Sequence, residues 1–189
     1  MFMKKFLKSV KTRVLNLGSR RKPLVTVVRL NGAIGSAGGF RQGLNFSTIS
    51  DVLERAFSPA KLKAIAILVN SPGGSPVQSA LIANRIRTLA DEKNIPVFAF
   101  AEDVAASGGY WLACAADEIF AQPSSILGSI GVVSGGFGFT ELIKKLGIER
   151  RIYTSGDRKA MLDPFSPENA SDLKHLKIIQ KEIHEDFKT

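Results

Sequence analysis

The stretch AASGGYWLACAAD, Ala105–Asp117, places one serine, Ser107, in a turn that leads through two glycines into an alanine-rich helical run. Glycines beside a serine let backbone N–H groups approach a neighbouring group closely, and the first turn of a helix favours negative charge. A serine nucleophile and its oxyanion require these local features. The stretch therefore predicts a turn into a helix with a candidate nucleophile. The alternative role for Ser107 is that of a helix cap.

Apolar runs and helical patterns alternate on both sides of this turn. Continuous apolar runs at Ala64–Val69 and Pro96–Phe100 suit parallel strands that are covered on both faces. This alternation implies right-handed βαβ crossovers and an α/β layered domain. Further strands are predicted at Leu24–Leu30, Glu118–Ala121, Ile130–Val133 and Ile148–Thr154, and further helices at Ser47–Phe57, 76–93, Glu141–Leu146 and from Ser166 onward.

The net charge of +9 is concentrated at the beginning of the chain. Met1–Lys22 holds eight of the 26 lysines and arginines and no acidic residue, whereas residues 23–189 hold 18 basic and 17 acidic residues. The larger part is therefore almost neutral, which argues against a nucleic-acid-binding domain, where basic residues line one face. At 189 residues the chain fits one domain with a sizeable core.

The basic segment 1–22 also carries apolar residues close to helical spacing. A basic amphipathic helix can lie on an anionic membrane surface, and a solvated tail is the alternative that length and charge leave open. No run of 18 apolar residues occurs in the chain, so no transmembrane helix is predicted. The apolar positions of the segment are Phe2, Met3, Phe6, Leu7, Val10, Val14 and Leu17.

A second informative segment, SGDRKAMLDP at 155–164, places Lys159 in a turn. A lysine amine in water has a pKa of ~10.4 and cannot accept a proton at neutral pH. Burial would favour the neutral amine, and Met161, Leu162 and Phe165 are the local candidates to bury it. Lys159 is thus a candidate general base, and a surface lysine in a turn is the alternative. Both histidines lie in the last fifteen residues, on a predicted solvated helix.

A glycine pair in NSPGGS, Asn70–Ser75, supplies candidates for an oxyanion hole. The chemistry needs bare backbone N–H groups roughly 2.7–3.1 Å from the developing oxyanion. Gly73 and Gly74 meet that need together with Gly108, which follows the candidate nucleophile. The alternative is a strand-to-helix turn that only needs a flexible backbone. A phosphate-binding loop is disfavoured, because two prolines remove N–H donors and no Gly-Lys-Ser/Thr follows.

The single cysteine and the scattered aspartates point away from other chemistry. Cys114 excludes an intramolecular disulfide, and its setting LACAAD predicts a small apolar residue on a buried helix face. Asp103, Asp117, Asp157 and Asp163 lack the spacing of metal ligands. We therefore expect neither a metal site nor a cofactor.

Four segments resemble, in order and spacing, the signal peptide peptidase A family of Ser–Lys serine peptidases. They are NSPGGS at Asn70–Ser75, AEDVAASGGYWLACAAD at Ala101–Asp117, LGSIGVV at Leu127–Val133 and YTSGDRKAMLDPF at Tyr153–Phe165. The resemblance covers about residues 23–188 and implies a ClpP/crotonase-like spiral of βαβ units. It implies a single catalytic domain at 23–189, which follows the basic amphipathic tail at 1–22. Relative to the family, this domain is expected to lack the C-terminal part, and the chain a membrane anchor.

The same resemblance implies a serine endopeptidase with Ser107 as nucleophile and Lys159 as general base. Ser129, in LGSIG, matches the position expected to hydrogen-bond the lysine amine. The implied substrates are extended hydrophobic peptides such as cleaved signal peptides. The implied setting is a homo-oligomer in the bacterial cytoplasm or peripheral to the inner membrane. Two alternatives stay open: a truncated, non-catalytic relative of these peptidases, and a crotonase-like acyl-CoA enzyme with the same oxyanion architecture.

Overall fold

The computed structural model describes residues 22–35, 43–156 and 158–188. The predicted tail at 1–22, apart from Lys22, lies outside the described residues, as does Asp157. The chain forms two compact units, which divide between Gly128 and Ser129. This division falls inside the range 23–189 that the sequence assigns to one catalytic domain, and that assignment stays a prediction.

The first unit is built on a parallel sheet. In its described part the strand order is β1-β2-β3-β4, with β5 beside the end of β3, and every strand pair is parallel. Helices connect the first strands, which confirms the predicted α/β class. The strands are β1 (Leu24–Asn31), β2 (Leu62–Ser71), β3 (Val97–Ala106), β4 (Glu118–Ala121) and β5 (Ile126–Gly128), and the helices are α1 (Phe46–Phe57), α2 (Pro76–Lys93) and α3 (Gly108–Cys114).

The helices cover one face of this sheet and form the core with it. Ile65, Ile67 and Val69 of β2 are fully buried, and the core cluster joins them to side chains of all three helices. Burying one such side chain stabilises the fold by about 1.5–3 kcal/mol. The other face is more open: Val27 is 56% exposed there, and Phe100 stacks on Phe120 with ring centroids 5.1 Å apart.

Capping residues explain where α2 begins and ends. Ser75 is its N-cap, its hydroxyl accepts from the N–H of Gln78, and Pro76 is the first helical residue, as predicted. The helix ends at Lys93 because Asn94 adopts a left-handed conformation with φ of 50°. The side chain of Gln78 also accepts from the N–H of Phe46 at 2.7 Å, which ties the starts of α1 and α2 together.

The second unit contains two helices, α4 (Thr140–Lys145) and α5 (Ala170–Lys188). The predicted strands at Ile130–Val133 and Ile148–Thr154 are wrong, since neither segment is a strand in the structure. β-Branched composition forms a strand only beside a neighbour that pairs with it. The nearest strand is β5 of the first unit, Ile126–Gly128, which pairs with β3.

Two smaller sequence predictions also fail. The long helix begins at Ala170 rather than near Ser166, because the side chain of Asn169 accepts from the N–H of Ser171 at 2.8 Å and caps the helix there. Cys114 is exposed rather than buried, because α3 turns Leu112, Ala113 and Ala115 toward the core and leaves the position between them on its outer side. None of the described helices has both the length and the apolar character needed to span a membrane.

Candidate active site

Ser107 is the single residue between β3 and α3, and its backbone is strained. Its φ of 51° and ψ of −125° lie in a region that L-amino acids rarely adopt, at a cost of about 1–3 kcal/mol. Two backbone hydrogen bonds hold it there. The N–H of Ser107 donates to the carbonyl of Gly128 at 2.7 Å, and its carbonyl accepts from the N–H of Trp111 at 3.0 Å. The turn therefore presents this side chain in one orientation.

The hydroxyl of Ser107 does not cap the helix that follows. Ser107 occupies the N-cap position of α3, yet its side chain makes no capping hydrogen bond. The side chain is partly exposed. The alternative role that the sequence left open, a helix cap, thus does not describe this serine. Strain without a capping bond is characteristic of nucleophiles on sharp strand-to-helix turns.

The loop after β2 lies directly against this turn because it consists of glycine. A Cβ atom placed on Gly73 would lie 2.7 Å from both the Cβ of Ser107 and the N of Gly108, which is closer than real Cβ atoms come. Gly73 also has a φ of 95°, which L side chains disfavour. A side chain at Gly73 would thus displace the candidate nucleophile. Glycine is therefore required at position 73 both for the close approach to Ser107 and for the positive φ.

The three predicted oxyanion-hole residues differ in whether their N–H groups are free. The N–H of Gly73 is already used, because it donates to the hydroxyl of Ser71 at 3.1 Å, and Gly73 is buried. Gly74 is exposed, and within the described residues no hydrogen bond uses its N–H or that of Gly108. Two of the three candidates can thus donate a hydrogen bond to an oxyanion without losing an existing bond.

Sequence reasoning missed Ser71. It is one of two fully buried polar side chains among the described residues, and its hydroxyl is bonded on both its donor and its acceptor side. Its position in NSPGGS was the available signal. A serine at the buried end of an apolar strand needs hydrogen-bond partners. One of them, the N–H of Gly73, lies in the turn that follows, and the other, the carbonyl of Gly32, lies after β1.

Ser129 and Lys159 belong to the second unit. Ser129 is exposed and has a φ of 55°. Lys159 lies in a turn, where its N–H donates to the carbonyl of Gly156 at 3.4 Å, and it is exposed. The burial that the sequence led us to expect for Lys159 is therefore not found in the described residues.

The apolar neighbours proposed to bury Lys159 are engaged elsewhere or exposed. The ring of Phe165 stacks on Phe139 at 5.5 Å between centroids and carries the guanidinium of Arg150 at 5.3 Å. Leu162 is 37% exposed and turns the chain with a φ of 59°. Sequence proximity placed these side chains near the lysine, but the turn directs them into other contacts.

The carboxylate of Asp163 accepts hydrogen bonds from two side chains, those of Arg150 and Ser166, and so stabilises the turn that contains it. Burial acts to raise its pKa, but hydrogen bonds from Ser166 and Arg150 outweigh this and hold the pKa of Asp163 below its ordinary value. The side chain of Arg150 donates to it at 3.3 Å. Asp163 is thus a structural carboxylate of the turn. In residues 22–35, 43–156 and 158–188, no group of three His, Cys, Asp or Glu side chains could hold a metal ion.

A model of a known protein family matches the second half of this chain. The family model described as peptidase family S49 matches residues 90–189, just over half of the chain. The parallel sheet confirms the predicted α/β class, and the ClpP/crotonase-like spiral is what the resemblance to the family implies. Similar solved structures include a variant of the membrane-bound stomatin-specific protease 1510-N. Its TM-score is 0.44 and its sequence identity 23%, and the match covers 62% of this chain and 51% of that one. A ClpP1 variant of Listeria monocytogenes has a TM-score of 0.40 and an identity of 20%, and the match covers 53% of each chain.

Curated relatives share this sequence over part of their length. A protein of Brucella melitensis named Na(+)/H(+) antiporter NhaA is 57% identical over 164 residues, which are 86% of this chain and 22% of that protein. The chloroplastic serine protease SPPA of Arabidopsis thaliana is 34% identical, over 77% of this chain and 22% of its own length. Protease 4 of Haemophilus influenzae is 35% identical, over 66% of this chain and 20% of its own length. The chain thus spans about a fifth of the length of these relatives.

The strain at Ser107 leads to a prediction about stability. Replacing Ser107 by glycine relieves the positive φ, whereas replacing it by alanine does not, so we expect Ser107→Gly to be about 1 kcal/mol more stable than Ser107→Ala. Urea unfolding of both variants measures the difference. Ser58, with a φ of −77°, is the matched control, and there the glycine variant should be the less stable one. If alanine were the more stable residue at both positions, the turn at Ser107 would be unstrained.

Proposed function

Because the chain belongs to peptidase family S49, as its resemblance to signal peptide peptidase A predicted, we propose that it is a serine endopeptidase with a Ser107–Lys159 dyad. One observation carries the proposal. The strained turn at Ser107 leaves the side chain without a capping bond, beside glycine N–H groups that have no hydrogen-bond partner among the described residues. A nucleophile and preorganised oxyanion donors are the two components that acyl transfer to serine requires.

The proposed reaction follows the order of bond changes in acyl transfer. The Ser107 oxygen attacks the scissile carbonyl while the neutral amine of Lys159 takes the hydroxyl proton, and Gly74 and Gly108 donate to the oxyanion. Collapse of the tetrahedral intermediate breaks the C–N bond, and Lys159 returns the proton to the leaving amine. A water molecule, deprotonated by Lys159, then hydrolyses the acyl-enzyme. Ser129 is proposed to hold the lysine amine by a hydrogen bond.

The sequence indicates Gly73 as an oxyanion donor, but in this proposal it has a steric role. Its N–H is occupied by Ser71, so Gly73 contributes by lacking a side chain rather than by donating to the oxyanion. Lys159 is exposed, so the proposal requires that substrate or further chain remove water from its amine before it can act as a base.

The proposed substrates are extended hydrophobic peptides such as cleaved signal peptides. The support is the resemblance to signal peptide peptidase A and the match to the chloroplastic protease SPPA over 77% of this chain. A homo-oligomer in the bacterial cytoplasm or at the inner membrane is part of the same proposal. Sedimentation of the full chain would test the oligomer, because a monomer at all concentrations contradicts it.

A second candidate function is that of a non-catalytic relative of these peptidases. Two observations favour it: Lys159 is exposed, and none of residues 129–156 and 158–188 is buried. A lysine amine in water is protonated at neutral pH and cannot take a proton from a serine. A peptidase with the dyad should hydrolyse peptides and lose this activity when Lys159 is replaced, whereas a non-catalytic relative should hydrolyse none.

We expect Ser107→Ala to abolish peptide hydrolysis and to leave the fold intact, because the change removes one hydroxyl that does not cap α3. Loss of a covalent nucleophile lowers kcat by orders of magnitude, whereas loss of a cap would cost about 1 kcal/mol of stability. Hydrolysis of a fluorogenic hydrophobic peptide and a thermal melt measure the two effects. Unchanged hydrolysis by the variant would remove Ser107 from the mechanism, and turnover of an acyl-CoA thioester by the parent would favour the crotonase-like alternative.

We expect Lys159→Arg to be as inactive as Lys159→Ala. Arginine keeps the positive charge but does not deprotonate in proteins, so an ion-pairing role would survive the change and a general-base role would not. The same peptide assay measures both variants, with Lys177→Arg on α5 as the matched control. Near-parental turnover by Lys159→Arg would contradict the dyad.

We expect deletion of residues 1–22 to weaken binding to vesicles that contain anionic lipid. This segment holds eight basic residues and no acid, and each basic residue near an anionic surface contributes about 1 kcal/mol. Co-sedimentation with phosphatidylserine vesicles measures binding, and vesicles of neutral lipid serve as the control. Equal binding with and without the segment would show that it is a solvated tail.

A further inference from the structure

The hydroxyl of Ser71 joins the end of β1 to the loop beside the candidate nucleophile. It donates to the carbonyl of Gly32 at 2.7 Å and accepts from the N–H of Gly73 at 3.1 Å. The side chain is fully buried, so water cannot replace either partner. A serine hydroxyl has one proton to donate and lone pairs to accept, and here both functions are used.

These bonds set the orientation of the peptide unit before Gly73. The carbonyl of Gly73 accepts from the N–H of Ile34 at 2.9 Å, and the carbonyl of Ile34 accepts from the N–H of Ser75 at 2.8 Å. Gly73 is therefore bonded at both its N–H and its carbonyl. Gly74 lies between these bonds and keeps a free N–H among the described contacts.

Ser71 also contacts the helix that begins after Ser107. A Cβ atom placed on Gly109 would lie 3.0 Å from the Cβ of Ser71 and 3.1 Å from its carbonyl carbon. The same residue thus touches the glycine loop through its hydroxyl and α3 through its backbone. A shift of Ser71 would alter the distance between Ser107 and the N–H of Gly74.

We propose that Ser71 is a positioning residue for the hydrolytic reaction. By occupying the N–H of Gly73, its hydroxyl fixes the loop so that Gly74, and not Gly73, presents a free N–H to the oxyanion. The proposal rests on the proposed function, and it assigns Ser71 no contact with substrate. Misplacement of a donor by a fraction of an ångström weakens transition-state stabilisation without changing how substrate binds.

Kinetics of Ser71→Ala test this role. We expect kcat to fall about tenfold to a hundredfold, as for a misplaced oxyanion donor, with KM unchanged. Ser71→Cys keeps a weak donor and acceptor on a somewhat larger atom, so its kcat should lie between those of the alanine variant and the parent. Ser125→Ala is the control, since it removes a hydroxyl that donates to the carbonyl of Glu102 at 2.6 Å, away from the loop. It should keep parental kcat.

Amide hydrogen exchange of the full chain, followed by NMR, tests the geometry independently of activity. In the parent, the Gly73 N–H should exchange slowly and the Gly74 N–H rapidly, and Ser71→Ala should lose protection at Gly73. Parental kcat in both Ser71 variants, an equal loss in Ser125→Ala, or a protected Gly74 would overturn the proposal. If the parent hydrolyses no peptide, the proposed function fails, and the exchange at Gly73 alone decides whether Ser71 sets the loop.

Discussion

The candidate site depends on one close backbone contact, between Gly73 and the turn at Ser107. A Cβ atom on Gly73 would lie 2.7 Å from the Cβ of Ser107 and 2.8 Å from the carbonyl oxygen of Ala106. No side chain fits between them. This steric constraint brings the loop of Gly74, whose N–H makes no hydrogen bond among the described residues, beside a serine that is held in a strained conformation. The remaining features of the first unit serve to maintain that contact.

Parallel strands bring the two segments together. β2 ends at Ser71 and β3 ends at Ala106, and the carboxyl ends of adjacent parallel strands meet at one edge of a sheet, where α/β proteins place their sites. The register between them shifts, since Val69 pairs with Ala101 while Ser71 pairs with Ala105. This irregularity places two extra residues of β3 between the paired positions and adjusts the level at which Ser107 meets the glycine loop.

Much of this arrangement could be predicted from sequence because its causes are local. The strand and helix patterns around NSPGGS and AASGGY located β2, α2, β3 and α3, and their alternation predicted the parallel sheet. The dual bonding of Ser71 could not be predicted, because its partner Gly32 lies 39 residues away. The sequence left open whether Lys159 is buried or exposed, because the contacts of Phe165 with Phe139 and Arg150 are made with residues that are distant along the chain.

We propose that Ser107 and the N–H groups of Gly74 and Gly108 form one acyl-transfer site. A crystal structure of the full chain treated with a peptide phosphonate would test this, because the phosphorus centre mimics the tetrahedral intermediate. We expect a covalent bond to the Ser107 oxygen, with a phosphoryl oxygen roughly 2.7–3.1 Å from both nitrogens. A bond to another residue, or a phosphoryl oxygen that contacts neither nitrogen, would contradict it.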